Sequence, residues 1–223
     1  MVSDENGEWL RGDILGLIAA EALEVEALAV PVSCNTAIEK SQKFQFISRT
    51  RIGSPYVIAE FDSLFKSYSS VAGFEANGGF LLGTDVKINN RQLKALPTRD
   101  AILPAIMLLS KAKDKTISSL IAKLPERFTF SDRIKNFETE KSKLILTNAA
   151  EEPENFLANL GFNNSKLKNI NTTDGLRMTL EDGRIIHLRP SGNAPELRCY
   201  AEADTLEDAI ELVTQALFKI REL

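Results

Sequence analysis

The sequence predicts an α/β protein in two parts: a partial, mixed or mostly parallel α/β/α domain over 1–125, then a small α+β domain with an antiparallel sheet and helices over 126–223. Three observations predict it. Short apolar runs alternate with helix-spaced apolar residues from Asp13 to Glu75. Past Pro125-Glu126 the texture changes to closely spaced strand-like segments joined by turn signals. The chain then closes on one long apolar stripe at helical spacing.

The opening MVSDENGEWLRG holds a turn signal from Ser3 to Gly7, with Asn6-Gly7 a favoured hairpin pair. Only Met1 and Val2 precede it, so the chain reads as beginning in the tail of a strand. Asp13 is the expected N-cap of a helix with Ile14, Leu17, Ile18 and Leu23 on its apolar face. Ala27 to Val32 is an uninterrupted apolar run, the mark of a buried strand. Asn35 to Gln42 reads as a short helix, Gln45 to Thr50 as a strand, and Pro55 to Tyr68 as a helix with proline in its first turn. Val71 to Glu75 ends another strand just before a glycine pair. A polar stretch without an assigned element follows. Asp100 to Lys113 is then helical, with Ile102, Ile106 and Leu109 on one side, and Ile117 to Leu124 is a second helix stopped by Pro125.

In the second part, Arg127 to Phe137 alternates in places, and Lys143 to Leu146 and Pro153 to Leu160 read as helices. Strands are expected at Leu167–Asn171, Leu176–Leu180, Arg184–Arg189 and Leu197–Ala203, with Asp182-Gly183 a type I′ hairpin signal. The last helix starts at Thr205, with Asp204 as N-cap and Glu207 completing a capping box. Its stripe is Leu206, Ala209, Ile210, Val213, Leu217 and Ile220.

Composition narrows the function classes. An apolar fraction of 43% provides enough surface to bury that general disorder is excluded. Twenty-seven basic against 31 acidic residues leave no basic stripe, so no nucleic-acid partner is expected. No apolar run reaches 18 residues, so no membrane association is expected, and the protein is expected to be cytoplasmic. Cys34 and Cys199 read as reduced, buried small side chains. His187 reads as a structural strand residue, Trp9 as packing near the hairpin, and Glu151-Glu152 as a solvated helix start.

Two loops can carry chemistry. Gly73 to Gly79 follows a buried strand, at the carboxyl edge where open α/β sheets bind ligands. Glu75 accepts hydrogen bonds, Asn77 donates and accepts, and Gly78 and Gly79 admit a ligand close to the backbone. Paired sugar hydroxyls fit these groups; a plain glycine-rich turn between strands fits them too. Arg189 to Arg198 (RPSGNAPELR) holds Ser191, Gly192 and Asn193 between two arginines. Successive N–H groups there form an anion nest, and arginine adds donors matched to phosphate. A turn with solvated arginines is the other reading.

Together the loops resemble those of the α-D-phosphohexomutases, the family of phosphomannomutase, phosphoglucomutase and phosphoglucosamine mutase. Arg189 to Arg198 is similar to the family's phosphate loop R-P-S-G-T-E-P-x-x-R, with Asn193 and Ala194 in place of Thr-Glu. Gly73 to Gly79 is similar to its sugar loop G-x-E-x-S-G-G, with Asn77 in place of Ser. Arg49 to Gly53 with Tyr56-Val57 resembles R-T-x-V-G-x-x-Y-V, and Asp4 to Gly7 with Gly12-Asp13 resembles the hairpin after the family's metal loop. The resemblance spans nearly the whole chain and implies the C-terminal half of such a mutase. It implies sugar contacts from Glu75, Asn77 and Gly78, and phosphate contacts from Arg189, Ser191, Gly192, Asn193 and Arg198. The expected ligand is a phosphorylated hexose, whose phosphoryl group moves between positions 1 and 6.

Full-length members have four domains, a D-x-D-x-D-R loop for Mg2+ and a phosphoserine. No D-x-D-x-D occurs in this sequence, so no catalytic residue and no metal ligand is expected in the chain, and by itself it is expected to be inactive. The expected partners are the N-terminal domains of the same enzyme and, through the exposed surface of a partial sheet, a second copy. A stand-alone, non-catalytic phosphosugar-binding or interaction module is the competing reading. A nucleotide-binding enzyme finds no support, since neither G-x-G-x-x-G nor G-x-x-x-x-G-K-[ST] follows a strand.

Overall fold

The computed structural model describes residues 2–222, so Met1, at the head of the expected strand tail, lies outside the described residues. The chain divides into two compact units, Met1–Glu126 and Arg127–Leu223.

In the first unit, Val2 to Leu10 form a hairpin with a Ser3–Trp9 bridge, closed by the Asp4 N–H on the Glu8 carbonyl at 2.9 Å. Trp9 does not pack there; it is 64% exposed. The elements that follow are α1 (Gly12–Ala22), β1 (Ala27–Pro31), α2 (Ala37–Lys40), β2 (Phe46–Thr50), α3 (Ser54–Leu64) and β3 (Val71–Phe74). Four strands without an expected element follow: β4 (Phe80–Leu82), short but wholly apolar and buried, and β5 (Val86–Ile88), β6 (Arg91–Leu93) and β7 (Leu96–Asp100), which local apolar patterning does not mark. Helices α4 (Leu103–Lys111) and α5 (Ile117–Ile121) end the unit.

The main sheet has the order β2-β1-β3-β4-β7. Its first three strands run parallel, while β4 and β7 add on antiparallel, so the sheet is mixed. β1 is buried along its whole length because it serves two cores. Its Leu28 and Val30 join Leu17, Phe74 and Met107 on the α1 side, and Ala27 and Ala29 join Val57 and Phe61 on the α3 side. This is the expected α/β/α layering.

Two expectations in this unit are corrected. Arg11, not Asp13, stands at the N-cap of α1; Asp13 lies inside the first turn, where it is fully buried. Ile102, Ile106 and Leu109 do not face the core but are 68, 55 and 63% exposed, and α4 buries Pro104, Met107 and Leu108 instead. Its start is also later than expected. Asp100 ends β7, and its carboxylate accepts the N–H groups of Ile102 and Leu103 at 2.7 and 3.1 Å.

The second unit runs β8 (Phe128–Lys135), α6 (Thr139–Glu151), α7 (Pro153–Asn159), β9 (Leu167–Asn171), β10 (Leu176–Leu180), β11 (Ile185–Pro190), β12 (Glu196–Ala203) and α8 (Leu206–Glu222). Its sheet, ordered β8-β12-β11-β10-β9, is antiparallel throughout. Leu176, Met178, Ile186, Leu188, Leu197 and Cys199 point to one face. There they meet α6 at Leu146 and Ala149, α7 at Phe156 and Leu157, and α8 at Leu212, Val213 and Ala216. With period 2, the neighbouring residues occupy the opposite, polar face.

Here too local expectations shift. Only Gly183 of the Asp182-Gly183 pair has positive φ (86°), and the Leu180 N–H bonds the Arg184 carbonyl at 2.9 Å. The turn is therefore a three-residue loop ending in a left-handed glycine, not type I′, which needs two positive φ values. Asp204 does not cap α8. The Thr205 hydroxyl takes the Asp208 N–H at 3.1 Å, and the Asp204 carboxylate pairs instead with Arg127. Leu206 and Ile210 are exposed, and Leu212 and Ala216 take their places in the buried stripe.

Candidate functional site

In the first unit the parallel strands β1, β2 and β3 end at one sheet edge, and the loop from Glu75 to Gly79 stands there. It is a tight, self-bonded turn. The Gly78 N–H donates to the Glu75 carbonyl and the Glu75 N–H to the Gly79 carbonyl, both at 3.0 Å. Asn77 Oδ1 accepts the Gly79 N–H at 3.0 Å, so its amide oxygen shapes the loop and its NH2 group is the part that can face a ligand. Gly78 has φ of 91°. The loop lies against the start of α1, where the Gly12 N–H donates to the Ala76 carbonyl at 3.1 Å. A Cβ on Gly12 would run into the backbone of Gly78 and Ala76.

Glu75 is 5% exposed, and its carboxylate has Arg99 Nε of β7 at 3.7 Å. The neighbouring loops are equally fixed. Asp13 accepts two bonds from Arg11 at 3.1 Å and the Asn35 N–H at 2.8 Å. Arg49 donates to the carbonyls of Pro31 and Cys34 and grips Glu39 at 2.6 and 2.7 Å. The R-T-x-I-G segment thus clamps the loop after β1. Asp13 belongs to the Gly12-Asp13 segment that the resemblance marks, but Arg99 and Arg11 carry no local motif.

In the second unit, Ser191 to Pro195 joins β11 to β12. The loop closes through the Ser191 N–H on the Glu196 carbonyl at 2.8 Å. Ser191 is 4% exposed, and its hydroxyl takes the Asn193 N–H at 3.4 Å. At Gly192 an added Cβ would meet nothing within 4 Å, so this backbone faces open space.

The flanking arginines are brought together by register: Arg189 of β11 lies directly opposite Arg198 of β12, on the polar face. Arg189 is oriented by Asp174, whose carboxylate accepts its Nε–H at 2.7 Å. Arg198 Nε is buried and has no hydrogen-bond partner among the described residues; its terminal nitrogen is 3.6 Å from Glu196. Arg133 of β8 lies opposite Arg198 on the other side. Ser131, Asp132, Arg133, Arg198 and Tyr200 line a cavity of about 370 Å³. Arg133 and Arg198 both line this cavity, with Glu196 3.6 Å from each and Asp132 beside them, and the buried unpaired Nε of Arg198 is a donor an anion can take.

His187, two residues before Arg189 on β11, is 2% exposed and stacks on Tyr200 at 5.3 Å between centroids. Its Nε2 bonds the Asp174 carbonyl at 2.6 Å; a carbonyl only accepts, so Nε2 carries the proton. Burial holds the imidazole pKa down to about 4, with the Asp174 carbonyl and carboxylate opposing and the Arg177 and Arg189 charges assisting. The ring is neutral near pH 7 and structural. Sequence reading did not find Asp174, Arg133 or Tyr200. Their signals, a Thr-Asp-Gly turn and alternate strand positions, become specific only once the register is known.

Among the described residues, no three His, Cys, Asp or Glu side chains gather into a group that could hold a metal ion. No helix is long and apolar enough to cross a membrane.

An α/β/α unit with its loops at the carboxyl edge, followed by a helix-backed antiparallel sheet with an arginine-flanked loop, is the architecture of phosphohexomutase C-terminal domains. It is shared with a phosphoglucomutase/phosphomannomutase family protein of Burkholderia thailandensis at a TM-score of 0.66, with 18% identity, over 97% of this chain and 43% of that one. It is shared too with an Aspergillus fumigatus N-acetylphosphoglucosamine mutase solved with GlcNAc-6P and magnesium, at a TM-score of 0.59 and 14% identity, over 97% and 48%. Residues 133–219 match the model of the phosphoglucomutase/phosphomannomutase C-terminal domain. A phosphomannomutase of Salmonella muenchen is 54% identical over 221 residues, which are 99% of this chain and 46% of that protein. The chain belongs to the α-D-phosphohexomutase family and is similar to its C-terminal part, spanning about half the length of such relatives.

Proposed function

We propose that this chain is the substrate-recognising part of a phosphohexomutase of phosphomannomutase type, an enzyme that moves a phosphoryl group between positions 1 and 6 of a hexose. The observation that supports this most is the Arg189–Arg198 pair, one guanidinium oriented by Asp174 and the other with a buried unpartnered Nε. In this reading Arg189, Ser191, Gly192, Asn193 and Arg198 hold the phosphate that is not being transferred, and Arg133 extends the same charge. The N–H groups of the loop and the guanidinium forks neutralise that dianion and fix the sugar's register. Glu75 accepts from sugar hydroxyls, the Asn77 NH2 donates to them, and Gly78 leaves room for the ring.

Magnesium and the phosphoserine are assigned to other parts of a longer enzyme; when bound, the metal offsets charge on the phosphoryl group in transit. This chain contributes binding and orientation, not the reacting groups, and is expected to act in the cytoplasm. Calorimetric titration with mannose 1-phosphate tests the reading. Arg189→Ala is expected to weaken binding by about tenfold or more, the worth of one charge-assisted contact. Unchanged affinity in that variant would overturn the loop assignment, and mutase turnover by this chain alone would overturn the division of labour.

A further inference from the structure

A second cationic site lies in the first unit, away from the Glu75 loop in both residues and chemistry. A cavity of about 490 Å³ is lined by Lys40, Lys43, Lys111, Lys115 and Lys123. One carboxylate, Glu21 of α1, serves two of them: it stands 3.7 Å from Lys43 and 3.5 Å from Lys111. Lys40, Lys115 and Lys123 have no ion-pair partner among the described residues. The whole chain carries a net charge of −4, yet this one cavity gathers five cations and one anion.

Helix polarity explains each lysine separately, because Lys40 ends α2, Lys111 ends α4 and Lys123 lies just past α5. It does not explain why three helix ends converge on one hollow, where their side chains repel. Convergent unpaired cations in a concave site concentrate a multivalent anion. The floor adds a second requirement. It is apolar, made by Ile18, Leu120, Leu124 and Pro125. A flat ring lies well on such a floor, whereas free phosphate makes no use of it. The volume falls within the range of small-ligand pockets, about 300–1,000 Å³.

We propose that this pocket binds a nucleoside polyphosphate, with the base on the Ile18–Leu120–Leu124 floor and the phosphates among Lys40, Lys115 and Lys123. The site uses none of the phosphosugar-loop residues, so its occupancy is independent of the reading given above.

The test titrates the chain with ATP, tripolyphosphate and inorganic phosphate at about 0.15 M salt. Saturable ATP binding is expected, weakening as salt rises, and about tenfold tighter than tripolyphosphate because the base adds apolar contact. The double variant Lys115→Glu/Lys123→Glu is expected to lose at least tenfold in ATP affinity at an unchanged melting temperature, both side chains being exposed. ATP affinity in Arg189→Ala is expected to equal that of the unaltered chain. Equal affinity for ATP and tripolyphosphate would overturn the nucleoside assignment. ATP binding that survives the double charge reversal, or that falls with Arg189→Ala, would overturn the site.

Discussion

Asp174 holds Arg189 through its side chain and His187 through its main chain: the carboxylate takes the Arg189 Nε–H at 2.7 Å while the carbonyl takes the His187 Nε2–H at 2.6 Å. One turn residue between β9 and β10 therefore fixes two successive polar-face positions of β11. An arginine held this way has lost its rotamer freedom before any anion arrives, which lowers the cost of ordering it on binding.

Replacing Asp174 should therefore affect binding through Arg189. For Asp174→Asn, mannose 1-phosphate affinity is expected to fall about three- to tenfold, with less loss than in Arg189→Ala, because the guanidinium remains but is no longer charge-paired. Calorimetry on the two single variants and the double variant checks this. The double variant should be no weaker than Arg189→Ala alone, since Asp174 acts through that side chain.

The buried imidazole makes the second unit sensitive to acid. The folded pKa of His187, about 4, lies below the ordinary value of 6.5, so the unfolded chain binds the proton first as pH falls. The stability this neutral ring supports is complete above pH 6.5 and is lost progressively down to about pH 4. At roughly 1.4 kcal/mol per unit, the loss is about 3 kcal/mol. His187→Phe keeps a ring against Tyr200 but removes the titration. Urea unfolding at pH 7, 6, 5 and 4 should show a shallower acid slope in the variant than in the unaltered chain.

Arg127 is the most committed ion in the second unit. Its side chain is 1% exposed, donates to Glu202 at 2.8 Å and to the Gly183 carbonyl at 2.6 Å, and pairs with Asp204. Arg127→Ala removes the guanidinium that faces the carboxylate of Glu202, itself 4% exposed. A loss of about 3–5 kcal/mol is expected in urea unfolding of this unit. Arg127→Met with Glu202→Leu should recover much of it by removing both charges, and a double-variant loss as large as the single one would contradict this account.

Gly12 fixes the Glu75 loop by close approach. Gly12→Ala would drive a methyl group into the backbone of Gly78 and Ala76, neither of which is a flexible side-chain end. The expected result is a stability loss of about 1–3 kcal/mol, as for other steric insertions into packed sites. Faster amide exchange at Gly78 and Gly79 should accompany it, while exchange in β10 to β12 stays unchanged.

Sequence reading reached some of this and missed the rest for definite reasons. The buried strands β1 and β3 announce themselves as apolar runs, and the antiparallel part was visible in its strand spacing. β5, β6 and β7 carry Lys87, Arg91, Gln92, Pro97 and Arg99 with little buried surface, so nothing in their hydropathy marks them. In α4 the exposed side is as apolar as the buried one, and periodicity alone picks the wrong face. Each candidate loop could be read from residue order within its own unit. Their supports could not: Asp174, Arg133 and Tyr200 reach Arg189, Arg198 and His187 across strand pairings. Contacts made between strands leave no local signature.

The pairing of β8 with β12 has a consequence for synthesis. Among the described residues, Phe128–Lys135 finds its sheet partner only in Glu196–Ala203, the last of this unit's strands in chain order. Until then, the first strand of the second unit has an open edge and its Ile134 side uncovered, whereas all the strands of the first unit are already made. The strands of the first unit all precede Arg127, so the two units can mature in sequence as the chain is made. A nascent chain stalled before Glu196 would carry a folded first unit and a second whose oldest strand still waits for its newest, a stage at which chaperones would find it.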